Sequence, residues 1–176
     1  MRGRPEIKGP ISLRHLCELA VKMGAAEAEV IEPRKVVVRN WVRLKCQYGC
    51  GEYGQYLTCP PYSPTPGETR RVLSEYSQAV LVRFEPSGPD SHEVMTKLER
   101  EAFLSGHYAA FAVASGPCSL CKECNLKHCV HPRESRLSME ACGIDVYATV
   151  RKAGMSLQVV RTRKAIPRYY GLLLVR

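Results

Sequence analysis

Long apolar runs are missing from this chain of 176 residues. The longest, at 109–114 and 172–175, fall far short of the roughly 20 residues a membrane-crossing helix needs. No membrane association is therefore expected. The N-terminal Met1-Arg2-Gly3-Arg4-Pro5 is basic but has no apolar segment behind it, so no secretory signal is expected and the protein is placed in the cytoplasm. Also absent are H-E-x-x-H, the phosphate-cradling G-x-x-x-x-G-K-[ST], G-x-G-x-x-G and any Ser/His/Asp context, which removes the usual zinc-protease, nucleotide and hydrolase signatures. There is no internal repeat and no low-complexity tract.

Cysteine is plentiful: the chain has nine. In a reducing compartment disulfides do not persist, so this number points to metal. Cys118, Cys121, Cys124 and Cys129 stand at C-x2-C-x2-C-x4-C, so all four thiols can curl toward one small object. The bacterial iron–sulfur run is C-x2-C-x2-C-x3-C-P. Here the last gap is one residue longer and Pro132 comes two residues late. Structural zinc sites usually draw on two separated pairs, so the compact run better matches a [4Fe–4S] cluster. A second group, Cys46, Cys50 and Cys59, has the spacing C-x3-C-x8-C and ends in Cys59-Pro60. Gly49, Gly51, Gly54, Pro60 and Pro61 argue against regular structure there, and metal ligation is the natural holder. Tyr48, Tyr53, Tyr56 and Tyr62 either shield a cluster or pack as ordinary turn residues.

Capping and periodicity predict the scaffold. Ser12 caps a helix bearing Leu13, Leu16, Cys17 and Ala20 and ending at Gly24, with Cys17 read as a core side chain. A strand at 28–31, a turn at 32–35 and a second strand at 36–44 form a basic hairpin carrying Arg34, Lys35, Arg39, Arg43 and Lys45, read as a solvated face. Thr65, Pro66 and Glu68 open a capped helix to about Tyr76 with Val72, Leu73 and Tyr76 inward. Next come a strand at 79–84, a helix capped by Asp90 and ending at Gly106, and a strand at 108–114. Ser138 caps a short helix, Asp145 a longer one closed by Gly154, and strands at 157–160 and 170–175 close the chain around the basic loop 161–168. That loop is read equally as a phosphate-binding site or a hydrated turn.

With Cys17 set aside, eight thiols suit two four-thiolate sites: Cys118, Cys121, Cys124 and Cys129 in one, Cys46, Cys50, Cys59 and Cys142 in the other. A swapped set, with Cys59 joining Cys118, Cys121 and Cys124, stays open, because ferredoxins exchange their last cysteine between clusters. Cys142 is read both as a ligand and as a core thiol. In the second case only three thiolates remain, and one iron is open to a substrate. His128 and His131 are reserve ligands. Filling two four-thiolate sites would lower the formal charge of +9 to about +5, still basic enough for an acidic partner, an anionic substrate or nucleic acid.

The run from Cys46 through Cys59-Pro60-Pro61-Tyr62-Ser63-Pro64-Thr65-Pro66, with Glu68, Arg70, Tyr76 and Ser77, resembles a prokaryotic family of predicted metal-binding proteins of unknown function. Cys118, Cys121 and Cys124, Ser138-Met139-Glu140-Ala141 and Gly143-Ile144-Asp145 match it as well, so the resemblance spans nearly the whole chain. It implies Cys46, Cys50, Cys59, Cys118, Cys121, Cys124 and Cys129 as the metal set, with position 142 not always cysteine. It implies no particular reaction.

Together these readings predict a single α/β domain over 1–176, with α+β as the variant. A mixed sheet is covered by helices, and cysteine loops at 44–65 and 115–137 meet at one end of it. The expected cofactor is one or two [4Fe–4S] clusters, serving cytoplasmic electron transfer to a redox partner protein or a place in a redox complex. Two other readings stand beside it: a zinc-stabilised module contacting nucleic acid or an acidic partner, and an enzyme with an open cluster iron.

Overall fold

The computed structural model describes residues 9–162 and 164–176, so the basic N-terminal pentapeptide and Arg163 of the basic loop lie outside the described residues. Four strands form one sheet in the order β1-β2-β4-β3: β1 Glu27–Ile31, β2 Gln78–Phe84, β3 Phe111–Val113 and β4 Tyr169–Val175. Each pairing is antiparallel. The α/β character stands as expected, and the sheet is antiparallel where a mixed one was anticipated. β2 and β3 point the same way with β4 inserted between them, joined by helix α4 (Ser91–Leu104).

Period-two alternation sends the sheet's side chains into two cores. Val80, Val82 and Phe84 of β2 join Leu173 and Val175 beneath α1 (Leu13–Lys22) and α4, against Leu16, Ala20, Met95 and Leu98. Ala79 and Leu81 join Tyr170, Leu172 and Leu174 on the other face, against Val36, Leu73, Met139, Cys142, Ile144 and Val150. That face is covered by α3 (Pro66–Ser74), α5 (Val146–Ala153) and the turn at 139–144. Gly171 lets β4 lie close under α4: a Cβ there would stand 2.8 Å from Met95 Cγ.

The caps behave as their residues predict. The Ser12 hydroxyl accepts from His15 N, Asp90 from His92 N and Asp145 from Ala148 N, and Thr65 and Glu68 form a reciprocal capping box. Three expectations need correction. The predicted strand at 36–44 is instead an extended trio followed by helix α2 (Asn40–Gly49). Val37 N donates to Thr149 Oγ1, and Asp145 N and Arg39 N donate to Val37 O and Gly143 O, so the valines are satisfied by α5 and its entry turn. Beyond them Arg43, Leu44, Lys45 and Gln47 are good helix formers. The predicted strand at 157–160 is absent because both edges of β4 are occupied, by β2 and β3. Val159 is accordingly exposed. The strand at 108–114 shrinks to β3, leaving Tyr108 exposed, and Val72 faces outward rather than into the core. No helix among the described residues is long and apolar enough to cross a membrane.

Candidate metal centre

Residues 117–130 make no backbone–backbone hydrogen bond among the described residues. A segment without a ladder is normally held by something else, and here its two ends are pinned to α4. Ser91 Oγ donates to Ser115 O and His92 Nε2 lies 3.3 Å from Gly116 O, at the loop's start. Thr96 Oγ1 donates to Glu134 O at its end. Arg136 forms a bidentate pair with Glu99 (Nε–Oε2 2.8 Å, Nη2–Oε1 2.6 Å) while also donating to Arg133 O and Ser135 O. Glu99 Oε2 in turn accepts from Ala112 N on β3. One helix thus fixes both mouths of the cysteine loop.

Between those anchors, Cys118, Cys121, Cys124 and Cys129 line a single narrow cavity. Tyr56, Leu57 and Thr58 close it from the other cysteine segment, and His131 stands at its wall. His128 lines none of the clefts described. Burial pushes the Cys118 thiol above its ordinary range, reinforced by Cys129, Cys121 and Cys124. Cys129 Sγ donates to Ser135 Oγ at 3.4 Å. The Thr58 hydroxyl is buried without a hydrogen-bond partner among the described residues. It acts on the neighbouring Cys59 thiol, lowering it against the effect of burial.

The second group is assembled differently. Cys46 rides in the last turn of α2, so regular structure reaches further into this segment than its glycines suggested. Cys50 follows at the helix end and Cys59 sits buried in the turns beyond it. All three line one cleft of about 240 Å3 with Glu52, Tyr53, Ser138 and Glu140. Burial pushes the Cys59 thiol up to about 11, with Cys50 adding to the rise, and also raises Cys46. The geometry therefore separates the thiols as 118/121/124/129 and 46/50/59. Tyr56 links the two: Glu52 raises its phenol most, and Cys59, Cys124 and Cys118 all contribute. Of the four tyrosines, Tyr53 and Tyr56 face the clefts, while Tyr48 and Tyr62 are exposed.

Cys142 stands apart. It is part of the core beneath the sheet and lines an apolar cavity with Leu73, Ile144 and Leu172. Burial raises its thiol to about 12. Among the described residues no three His, Cys, Asp or Glu side chains meet at one point as ligands of a single ion do.

Two residues escaped the sequence reading. Arg43, taken there for a solvated charge, is a clamp: Nη1 donates to Ser63 Oγ (2.7 Å), Ser63 O, Pro64 O and Ala141 O. It ties α2 to the turn at 140–142 and sets Cys46, one turn further on, against the cleft. Nothing local distinguishes it from Arg39 or Lys45. Glu140 is the other. It lines the same cleft and is exposed to solvent.

A family model described as predicted metal-binding protein (DUF2284) matches residues 29–175. No curated protein and no solved structure matches the chain.

Proposed function

The chain belongs to this family of predicted metal-binding proteins, and from that premise we propose that it is an iron–sulfur protein with two adjacent sites, acting in cytoplasmic electron transfer or within a larger redox complex. One observation carries the reading: four thiols of a segment without backbone hydrogen bonds line one cavity, so the bound group must supply the order that the backbone does not. Cys118, Cys121, Cys124 and Cys129 would hold a [4Fe–4S] cluster, and Cys46, Cys50 and Cys59 the second. An all-thiol donor set suits iron–sulfur or zinc. The compact C-x2-C-x2-C run, whose thiols line one cavity, matches the cluster pattern more closely than the two separated pairs of a structural zinc site. A bound cluster supplies a one-electron couple tuned by hydrogen bonds to its sulfurs and by solvent exposure.

The chain's own residues set those terms. Thr58 brings an unpaired hydroxyl to the first cavity, Tyr56 and Leu57 exclude water from it, and the anchors on α4 hold its mouth. Residues 56–58 wall the first cavity and Cys59 the second, so this segment joins the two sites in electron transfer to a redox partner protein. A second reading, a substrate bound at an open iron, draws on the presence of three rather than four thiols in the second cleft.

Anaerobic purification followed by a visible spectrum and counts of iron, sulfide and zinc tests the proposal. A brown protein with matching iron and sulfide is expected. Colourless protein with stoichiometric zinc would overturn it and bring forward a zinc-stabilised module for nucleic acid or an acidic partner.

A further inference from the structure

We propose that Glu140 is the fourth protein ligand of the second site, completing it with Cys46, Cys50 and Cys59. The inference rests on the metal-site reading above. In a 3-10 turn successive side chains are about 120° apart, so Glu140 and Cys142, two positions apart in the turn Glu140–Cys142, cannot face the same cleft. The turn is locked in register. Ser138 Oγ accepts from Ala141 N, and Gly143, at φ 75°, sits where a Cβ would stand 2.8 Å from Pro66 Cγ. The fold turns Cys142 into the core and Glu140 into the cleft.

The charge pattern makes the same choice. Three thiols and two carboxylates, Glu52 and Glu140, share the cleft, and neither carboxylate has an ion-pair partner among the described residues; Glu140 is the one carried by the locked turn. Arg43, the cation acting on Cys46, has its Nη1 committed to four acceptors on Ser63, Pro64 and Ala141. Lys45 and Arg151 line an adjoining cleft with Cys46, Cys50 and Glu140, yet no cation pairs with Glu140 among the described residues, which leaves its carboxylate available to a metal. On binding, each thiol gives up one proton and Glu140 enters as carboxylate. A carboxylate oxygen is a harder and more exchangeable ligand for cluster iron than a thiolate, which makes this the labile site of the two and its Glu140 corner the position a small anionic ligand would occupy.

The test is anaerobic reconstitution of the full chain with ferrous iron and sulfide, followed by iron counts and electron paramagnetic resonance. Wild type and Cys142→Ala should each hold about eight iron atoms per chain. Glu140→Ala should fall to about four, or hold its remaining iron with a changed resonance signal. Glu140→Cys should restore full iron with a signal unlike wild type, a rescue that a merely structural role would not give; it also decides the matter if Glu140→Ala fails to fold. Unchanged iron and signal in Glu140→Ala, or loss of half the iron in Cys142→Ala, would overturn the assignment. Wild type with zinc and no iron would sink the iron–sulfur reading separately. Counting zinc in the same variants would then decide Glu140: loss of one zinc from Glu140→Ala supports it, and retention of all zinc overturns it.

Discussion

Cys118, Cys121, Cys124 and Cys129 come from one uninterrupted loop hung on α4, whereas Cys46, Cys50 and Cys59 reach their cleft from a helix end, a turn and a buried stretch, with Glu140 arriving from far along the chain. The first cavity needs little from the fold beyond two fixed mouths, because its thiols are close in sequence and closing so short a loop costs little entropy. The second exists only when α2, the turns after it and the turn at 140–142 are docked together, and Arg43 does the docking. A local site is robust to changes elsewhere. A composite site inherits the stability of every contact that builds it.

The largest expected effect breaks the local site from within. Cys121→Ser should lose the first site's metal and destabilise the protein by about 4 kcal/mol or more, a fall in Tm of about 10 °C, since binding energy there is folding energy; iron counts and thermal melts read both. Next comes the anchor. Glu99→Gln leaves Arg136, whose side chain is 11% exposed, without its bidentate partner. Denaturant unfolding should show a loss of about 3 kcal/mol, with metal lost from the first site only. Arg43→Met is the mirror experiment. It removes the donor to Ser63 Oγ, Ser63 O and Pro64 O, while Ala141 O keeps the Ser63 hydroxyl, and should cost about 2 kcal/mol, lowering the metal content of the second site while the first stays filled.

The smallest effect sharpens the contrast at Cys142. Cys142→Ala should cost about 1 kcal/mol at neutral pH and leave the metal content unchanged. Its sign shows in alkali. The thiol's ordinary value is 9.0 and the fold raises it to about 12, so the folded state favours the neutral form. That contribution is fully present below pH 9 and is lost as pH climbs from 9 through 12. Stability measured across this window should fall more steeply in wild type than in Cys142→Ala. Equal slopes would mean the thiol is not buried and neutral.

Much of the scaffold was legible. Ser12, Thr65 with Glu68, Asp90, Asp145 and the glycines at 24, 143 and 154 marked helix ends correctly because capping is local chemistry, decided within one turn. The errors arose where partners are distant. Val36-Val37-Val38 looks like a strand, but Thr149 and the turn at 143–145 took its hydrogen bonds. Residues 157–160 look the same, and no strand edge was left for them. The division of the thiols at 118–129 could be read from spacing. The exclusion of Cys142 and the inclusion of Glu140 in the cleft could not, because two residues of one short turn differ only in the direction they face.

By itself, then, the sequence determined the metal-binding character, the close spacing of four thiols and the ends of most helices, since each rests on residues within about one turn or loop of one another. Tertiary structure alone decided that the sheet is antiparallel, that α4 holds both mouths of the first loop, that Arg43 is a clamp and that Glu140 rather than Cys142 faces the second cleft. These depend on which distant surfaces bury each other, and burial is a property of the whole packed chain.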